Sequence, residues 1–370
     1  MLQPPWGERG LLQYPPYYGK RLTAKMQNRW CGAGGFLTMR NRSVLMPSVD
    51  VVIPNYQYGR FLPGCINSVL SQDVENLRVL VIDNASTDDS LEVARALAAT
   101  DRRIQIVAHP VNVGVTASMN EGIDQAAADY FTILCSDDIL APGSLSRAIS
   151  IMEKHPTVTV AQGAAQILDF ELALPTGPTT TDPPAWTIIS GSEYIENICR
   201  RPLHRPVGFI LVRTAAQKQA GYYTRELPFT NDLEMLMRLV SIGDVAETNT
   251  IQGIRREHKN NISSAYWQDF KLRLDAVYRA VEAFLSSCNM AKKQSAKLLT
   301  LARVNLACDA YWSAVSHLIR GRYREAFELF KFAFSLSPHL AILPPVAHLL
   351  RTKNVLSRTR MVFSEAFGRG

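Results

Sequence analysis

The sequence predicts an α/β fold, a mostly parallel sheet between helices, followed by an α-helical C-terminal region. Three observations predict it. Short β-branched runs alternate with amphipathic stretches from residue 49 to residue 138. Polar residues rich in Asp and Asn follow the runs, where ligands of such sheets bind. From about residue 265 the pattern is helical almost throughout.

The elements follow in order. VDVVIPNY is a strand ending in a turn, and Phe61, Leu62, Cys65, Ile66, Val69 and Leu70 then share one helix face. LRVLVID is a second strand, closing on Asp83, and Ser90 to Thr100 is a helix with Leu91, Ala94 and Leu97 at helical spacing. IQIVAH is a third strand, Val115 to Ala127 a third helix, and DYFTILCSDD a fourth strand ending in acids. The Pro- and Thr-rich stretch of residues 170–190 reads as a loop. Residues 192–258 are mixed, with a helix from Asp232 to Ser241. In the tail, Gly321, Tyr323, Ala326, Phe330, Ala333 and Pro338 are spaced like the second helix of a tetratricopeptide unit. One such unit cannot bury its own face, so a hairpin packed on the preceding domain is expected.

The net charge of +7 is uneven. Residues 1–45 hold seven basic residues against Glu8 alone, leaving about +1 for the rest. That distribution gives no case for nucleic-acid binding by the folded part. Residues 1–45 lack a sustained period and are expected to be a disordered extension or mistranslated upstream sequence, with Met39 or Met46 as the start. The six cysteines form no close pair, which points to buried reduced thiols and a cytoplasmic compartment. No apolar run reaches the roughly 18 residues of a membrane span, and the start has no signal-peptide pattern.

Two features carry chemistry. Ser136-Asp137-Asp138 follows the apolar run FTILC, and adjacent carboxylates there suit a hard divalent cation that also binds diphosphate. On spacing alone, Asp138 capping the next helix is an equal alternative. Asp83 lies before the helix start at Asp88 to Ser90, so capping does not explain it, and a carboxylate there can accept from a base or a ribose.

The segments VDVVIPNYQYGRFLPGCINSVLSQ, LRVLVIDNASTDDS and HPVNVGVTASMNEGIDQAAADYFTILCSDDIL together resemble the nucleotide-sugar half of family 2 glycosyltransferases, which have the GT-A fold. The resemblance covers residues 48–145. It implies that Pro54, Asn55 and Tyr56 line the nucleotide site, that Asp83 contacts the base, and that Asn112, Gly114 and Asn120 lie near ribose and diphosphate. It implies Asp137 as a contact to ribose or donor sugar and Asp138 as the main ligand of Mn2+ or Mg2+, with Ser136 where Asp is common.

GYYTRELPFTNDLEMLMRLVSIGD resembles the family's acceptor block, with Asp232 as catalytic base and Asn231 where Glu is common. Asp232 capping the following helix is the alternative, and both roles can coexist. His258 matches a position near the metal or diphosphate. The implied domains are residues 46–262, divided at 145 into nucleotide-sugar and acceptor halves, and a helical region at 263–370. The implied reaction is inverting sugar transfer from a UDP- or dTDP-sugar to a glycan or lipid-linked glycan, as in surface polysaccharide synthesis. A nucleotidyltransferase is a weaker reading, because PNYQYGRF carries one glycine and one arginine. A non-catalytic scaffold is the other. The apolar-then-basic stretch HLAILPPVAHLLRTKNVLSRTR offers a peripheral membrane or protein contact, at the inner face of the membrane if the former.

Overall fold

A computed structural model describes residues 46–169, 185–203, 209–258, 266 and 269–351. The expectations for residues 1–45, most of the Pro- and Thr-rich loop and residues 352–370 lie outside these.

The first half follows the expected alternation. Strands β1 (Ser48–Asn55), β2 (Asn76–Asp83), β3 (Ile104–Ala108) and β4 (Tyr130–Ile133) are joined by helices α1 (Leu62–Leu70), α2 (Ser90–Thr100) and α3 (Val115–Gln125). They pair in parallel in the order β3-β2-β1-β4, with Asn55 directly across from Asp83. Period-two alternation divides the strand side chains between two cores. Val49, Val51, Ile53, Val79 and Val81 pack under α1 and α2. Val52, Leu80 and Ile82 pack on the other face against Ile123 of α3. α3 comes so close to β1 that a Cβ at Gly122 would stand 2.4 Å from Val52 Cγ1.

The second half departs from a purely parallel sheet. It adds the two-residue β5 (Ile139–Leu140), α4 (Ser144–Lys154), β6 (Val158–Asp169), β7 (Trp186–Ile189), α5 (Gly191–Arg200), β8 (Ile210–Arg213), α6 (Thr214–Ala220), α7 (Asn231–Ile242) and β9 (Asp244–Glu257). The sheet continues β4-β8-β6-β9-β5, with β7 also on β9. β8 runs antiparallel to both neighbours, β5 and β7 run antiparallel to β9, and β6 and β9 are parallel. The expected fourth strand through Asp138 instead ends at Ile133. Asp138 N–H closes a turn on Cys135 O at 2.9 Å, which breaks the ladder before the acids.

The tail consists of α8 (Phe270–Ser287), α9 (Lys292–Ile319), α10 (Tyr323–Leu336), a 3-10 turn (Pro338–Ala341) and α11 (Val346–Arg351). Gly321, at φ +72°, makes the reversal between α9 and α10. Buried Ala326 and Ala333 let those two helices approach, as the sequence spacing implies. Leu274, Val277, Phe284 and Leu306 belong to the same core as Val52 and Leu80. The tail therefore completes one face of the sheet domain. No described helix is long and apolar enough to cross a membrane.

Asp50 ties the base of this frame together. Its carboxylate accepts from Arg78 Nε at 2.7 Å and Nη2 at 2.8 Å, and from Ala127 and Ala128 N–H at 2.7 and 2.9 Å. Burial acts to raise its pKa, but the Arg78 hydrogen bonds and the Ala128 and Ala127 N–H groups prevail and hold it below the usual 3.8. A lowered folded pKa gives stability that is complete above the unfolded value and is lost as pH falls through the folded one. Asp50→Asn should destabilise the protein at neutral pH by about 3 kcal/mol, because Arg78 loses its counter-charge. The gap from wild type should narrow below about pH 4 in thermal unfolding of the two proteins side by side.

Candidate active site

The loops after β1 and β2 are laced together. Asn55 Nδ2 donates to Asp83 Oδ1 at 2.9 Å, and Ser86 N–H donates to Asp83 Oδ2 at 3.0 Å. Ser86 Oγ in turn accepts from Gln57 N–H at 3.0 Å. Asn55 and Asp83 are both buried, Pro54 is half-buried, and Tyr56 is exposed beside them. Asn55 Oδ1 is buried without a hydrogen-bond partner among the described residues, an acceptor left over at a strand end. Gln57 and Ala85, at φ 61° and 60°, hold the left-handed conformation within two residues of Asn55 and Asp83. Such strain persists where the surroundings over-determine it, as at ligand clamps.

Asn84 extends the network to the segment before α3. Its side chain donates to Asn112 Oδ1 at 2.9 Å and accepts from Val113 N–H at 2.9 Å, with His109 Nδ1 3.0 Å away. His109 Nε2 lies 2.6 Å from Glu121 of α3. Asn112 Oδ1 also accepts from Gly114 N–H, and Gly114, at φ +88°, begins α3. Among the described residues nothing lies within 4 Å of a Cβ built at Gly114, which leaves its backbone open to a ligand. Asn120, expected near ribose and diphosphate, is engaged with the backbone of Tyr223. Its amide donates to Tyr223 O at 2.9 Å and accepts from Tyr223 N–H at 2.8 Å.

Beyond β4 the turn of residues 134–138 gathers chemistry. One ligand atom each of Cys135, Asp137 and Asp138 lie within 4.8 Å of one another. Asp138 Oδ1 accepts from Arg256 N–H on β9 at 3.2 Å. Burial first, and then the charge of Asp137, push the Asp138 carboxyl well above the usual carboxylate range. Asp137 Oδ2 lies 3.2 Å from His258 Nε2. The His258 ring stacks on Phe61 at 4.6 Å and meets Tyr58 edge-on at 5.2 Å. Arg256 sits over the same Phe61 ring and donates through Nε to Asp137 O. A divalent cation fits this donor set: two carboxylates crowded together, with an imidazole behind one of them. His258 thus meets the acids as the sequence implies, but its direct neighbour is Asp137 and not Asp138.

Asp232 lies in the first turn of α7. Thr230 holds the position before the helix without a side-chain cap bond, and its hydroxyl donates instead to Ala276 O of α8 at 3.1 Å. Asp232 Oδ1 accepts from Leu233 N–H at 2.7 Å, so part of the capping alternative holds, and the residue is exposed. Burial first, and then the charge of Asp232, raise the pKa of the Tyr223 phenol, which Cys135 also raises. Tyr223 therefore stands within electrostatic reach of both Asp232 and the turn after β4. Phe229, at φ 69°, precedes this helix and is the third strained non-glycine residue among those described.

The structure brings Pro54, Asn55, Tyr56 and Asp83 together, Asn112 and Gly114 beside them, and Asp137, Asp138 and His258 as a second group. Sequence reasoning missed Asn84, His109, Phe61 and Cys135; Arg256 was expected, with Arg255 and Lys259, to neutralise phosphate, and its contacts with Asp137 O and Phe61 were not foreseen. Of these, Asn84 and His109 directly follow strands β2 and β3, and that position was the available signal. The expectation of buried thiols holds for Cys65, Cys199 and Cys308, while Cys288 is half-buried and Cys135 is exposed. Cys135 lies on the turn, not on a buried strand.

The model of glycosyl transferase family 2 matches residues 50–218. An uncharacterized glycosyltransferase of Haemophilus influenzae is 33% identical over 115 residues, which are 31% of this chain and 46% of that protein. The chain thus matches less than half the length of that relative. Among solved structures, S. aureus TarS 1-349 in complex with UDP-GlcNAc superposes with a TM-score of 0.56 at 16% identity, covering 87% of this chain and 92% of that one. The mannosyltransferase PcManGT from Pyrobaculum calidifontis, in complex with GDP-Man and Mn2+, gives 0.52 at 15% identity, covering 88% and 89%. These likenesses show the GT-A-like α/β fold.

The Asn120 clamp predicts a stability effect that a pure donor contact would not give. Asn120→Ala should lower unfolding free energy by about 1–3 kcal/mol, because it strips both backbone groups of buried Tyr223 of partners. Urea denaturation without ligand checks this, and an unchanged midpoint would overturn the structural role of the clamp.

Proposed function

Residues 50–218 belong to glycosyl transferase family 2, and from this premise we propose that the chain transfers a sugar from a nucleoside diphosphate to an acceptor hydroxyl with inversion. The observation that carries the reading is the meeting of Asp137 and Asp138 just beyond β4, in the sheet that also presents Asp83 beside Asn55. A carboxylate at Asp83 can accept from the ring N–H of uracil or thymine, which favours a UDP- or dTDP-linked donor. Pro54, Tyr56, Asn112 and Gly114 border that position and are assigned to the nucleotide.

Asp232 is assigned the base. It takes the proton of the acceptor hydroxyl while that oxygen bonds to the anomeric carbon. The bond from that carbon to the diphosphate oxygen breaks on the opposite side, which inverts the centre. Asp138 and His258 were the expected metal ligands, and the position of Asp137 beside His258 supports adding it to them. A bound Mn2+ or Mg2+ would supply positive charge to the departing diphosphate. The acceptor is a glycan or lipid-linked glycan in this reading. Exposed Tyr323, Phe327, Ile342 and Leu343 on the tail support a peripheral contact with a membrane or protein surface.

A thermal-shift series with UDP-, dTDP- and GDP-sugars, with and without Mn2+, tests donor and cation together. A metal-dependent rise should appear with UDP or dTDP donors, and Asp138→Ala should remove most of it. Asp232→Asn should keep the shift but reduce turnover by about 10²–10⁴-fold, the usual contribution of a general base. If no nucleotide binds in a metal-dependent way, sugar transfer by this route is wrong.

A further inference from the structure

Cys135 stands out among the described cysteines. Cys65, Cys199 and Cys308 are buried, and Cys288 is half-buried against Leu285 O and Ser295. Cys135 is exposed, in the same turn as the two acids. Its Sγ lies within 4.8 Å of a carboxylate oxygen of both Asp137 and Asp138. The turn hydrogen bond from Asp138 N–H to Cys135 O, at 2.9 Å, holds the two ends of the group together. Its backbone is also tethered from below, where Cys65 Sγ donates to Cys135 O at 3.6 Å. A bound divalent ion holds sulfur at about 2.3 Å and oxygen or nitrogen at about 2.0–2.2 Å, so ligand atoms draw closer than this around it. Rotation about one or two side-chain bonds would close the difference. On the far side of Asp137, His258 Nε2 at 3.2 Å adds a nitrogen donor.

We infer that Cys135 supplies a thiolate ligand to the divalent cation of this site, so that the site favours thiophilic d-block ions over Mg2+. This rests on the cation-assisted transfer proposed above. The chemistry is that of mixed donors: carboxylates and water alone suit Mg2+, whereas a thiolate with imidazole nearby suits zinc, cobalt and cadmium. Binding converts the thiol to thiolate and releases its proton to solvent. The sulfur–metal bond is the one that forms, and no redox change is involved.

The test uses the full chain with UDP, in a thiol-free reductant, and Cd2+ and Mn2+ as probes. Wild type should show an ultraviolet sulfur-to-cadmium charge-transfer band that saturates at one ion per chain. Cys135→Ser should lack the band and bind Cd2+ at least about tenfold more weakly, with Mn2+ affinity changed by no more than about threefold. In wild type, Cd2+ should also protect the Cys135 peptide from iodoacetamide, read by mass spectrometry, which requires no variant to fold. If wild type and Cys135→Ser bind Cd2+ equally and Asp137→Asn abolishes binding in both, the thiolate assignment is overturned and the carboxylate site stands. If wild type with UDP binds neither ion, the cation-assisted reading fails and this inference fails with it.

Discussion

The hydrogen bond from Asn55 Nδ2 to Asp83 Oδ1 is the contact on which the strand ends of the first half of this protein depend. The two residues face each other in the last register position of β1 and β2. A carboxylate buried at a strand end requires donors, and here an amide and the Ser86 N–H provide them. Satisfying Asp83 therefore fixes the direction in which both loops leave the sheet. Gln57 and Ala85 absorb the resulting strain. The next carbonyl, Asn55 O, accepts from Asn84 N–H, and Asp83 O accepts from His109 N–H, so three successive strand ends are locked in one plane of hydrogen bonds. The polar network rigidifies the edge of the sheet where a ligand would arrive, and the apolar cores below do not have to deform for it.

The legible part of the sequence was the part with a strong local period. β1 and β2 are mostly apolar runs buried on both faces, β3 is a short β-branched run at the sheet edge, and α1 to α3 show amphipathic spacing, so each element appeared close to its true place. The second half resisted because its strands are defined by partners far along the chain. β9 runs for 14 residues through DVAETNTIQGIRRE, a polar string that is a strand only because β6, β7 and β5 flank it. β6 itself carries register irregularities around Gly163 to Ala165 that blur any alternation. β5 is two residues long, too short to carry a pattern. The site shows the same division. Asp83, Asp137 and Asp138 were visible at the ends of apolar runs, whereas Arg256 and Phe61 act through a stack and a backbone hydrogen bond that join segments 195 residues apart.

The two acids after β4 look alike in sequence but not in space. Asp138 is held by the backbone of β9 and sits in surroundings that favour its neutral form. Asp137 faces the imidazole of His258, which the Phe61 and Tyr58 rings hold in place. One carboxylate is thus anchored to the frame, and the other is set against a ring whose orientation is fixed by packing. A cation between them would relieve the repulsion that raises Asp138 and would draw on both. This division of labour is a property of the turn between β4 and β5, which a straight strand through Asp138 would have destroyed by sending the two side chains to opposite faces.

The tail cannot be regarded as a separable recruitment arm. Thr230, which begins the helix carrying Asp232, hydrogen-bonds to Ala276 O of α8. Phe229, in its left-handed conformation, stacks on Tyr266 at 5.4 Å. The core that runs from Val52 through Leu233 and Met237 continues without a break into Val277, Phe284 and Leu306. Removing the chain from about residue 265 would expose that face and release the segment that presents the proposed base. Loss of the proposed transfer in such a truncation would then report a disturbed Asp232 segment as readily as lost recruitment. The exposed side chains Ile342 and Leu343 are better points at which to separate the two roles, because they are 83% and 69% exposed and take no part in that core. The helical region therefore has one physical duty facing the sheet, and the outward contact proposed for it can be altered without touching that core.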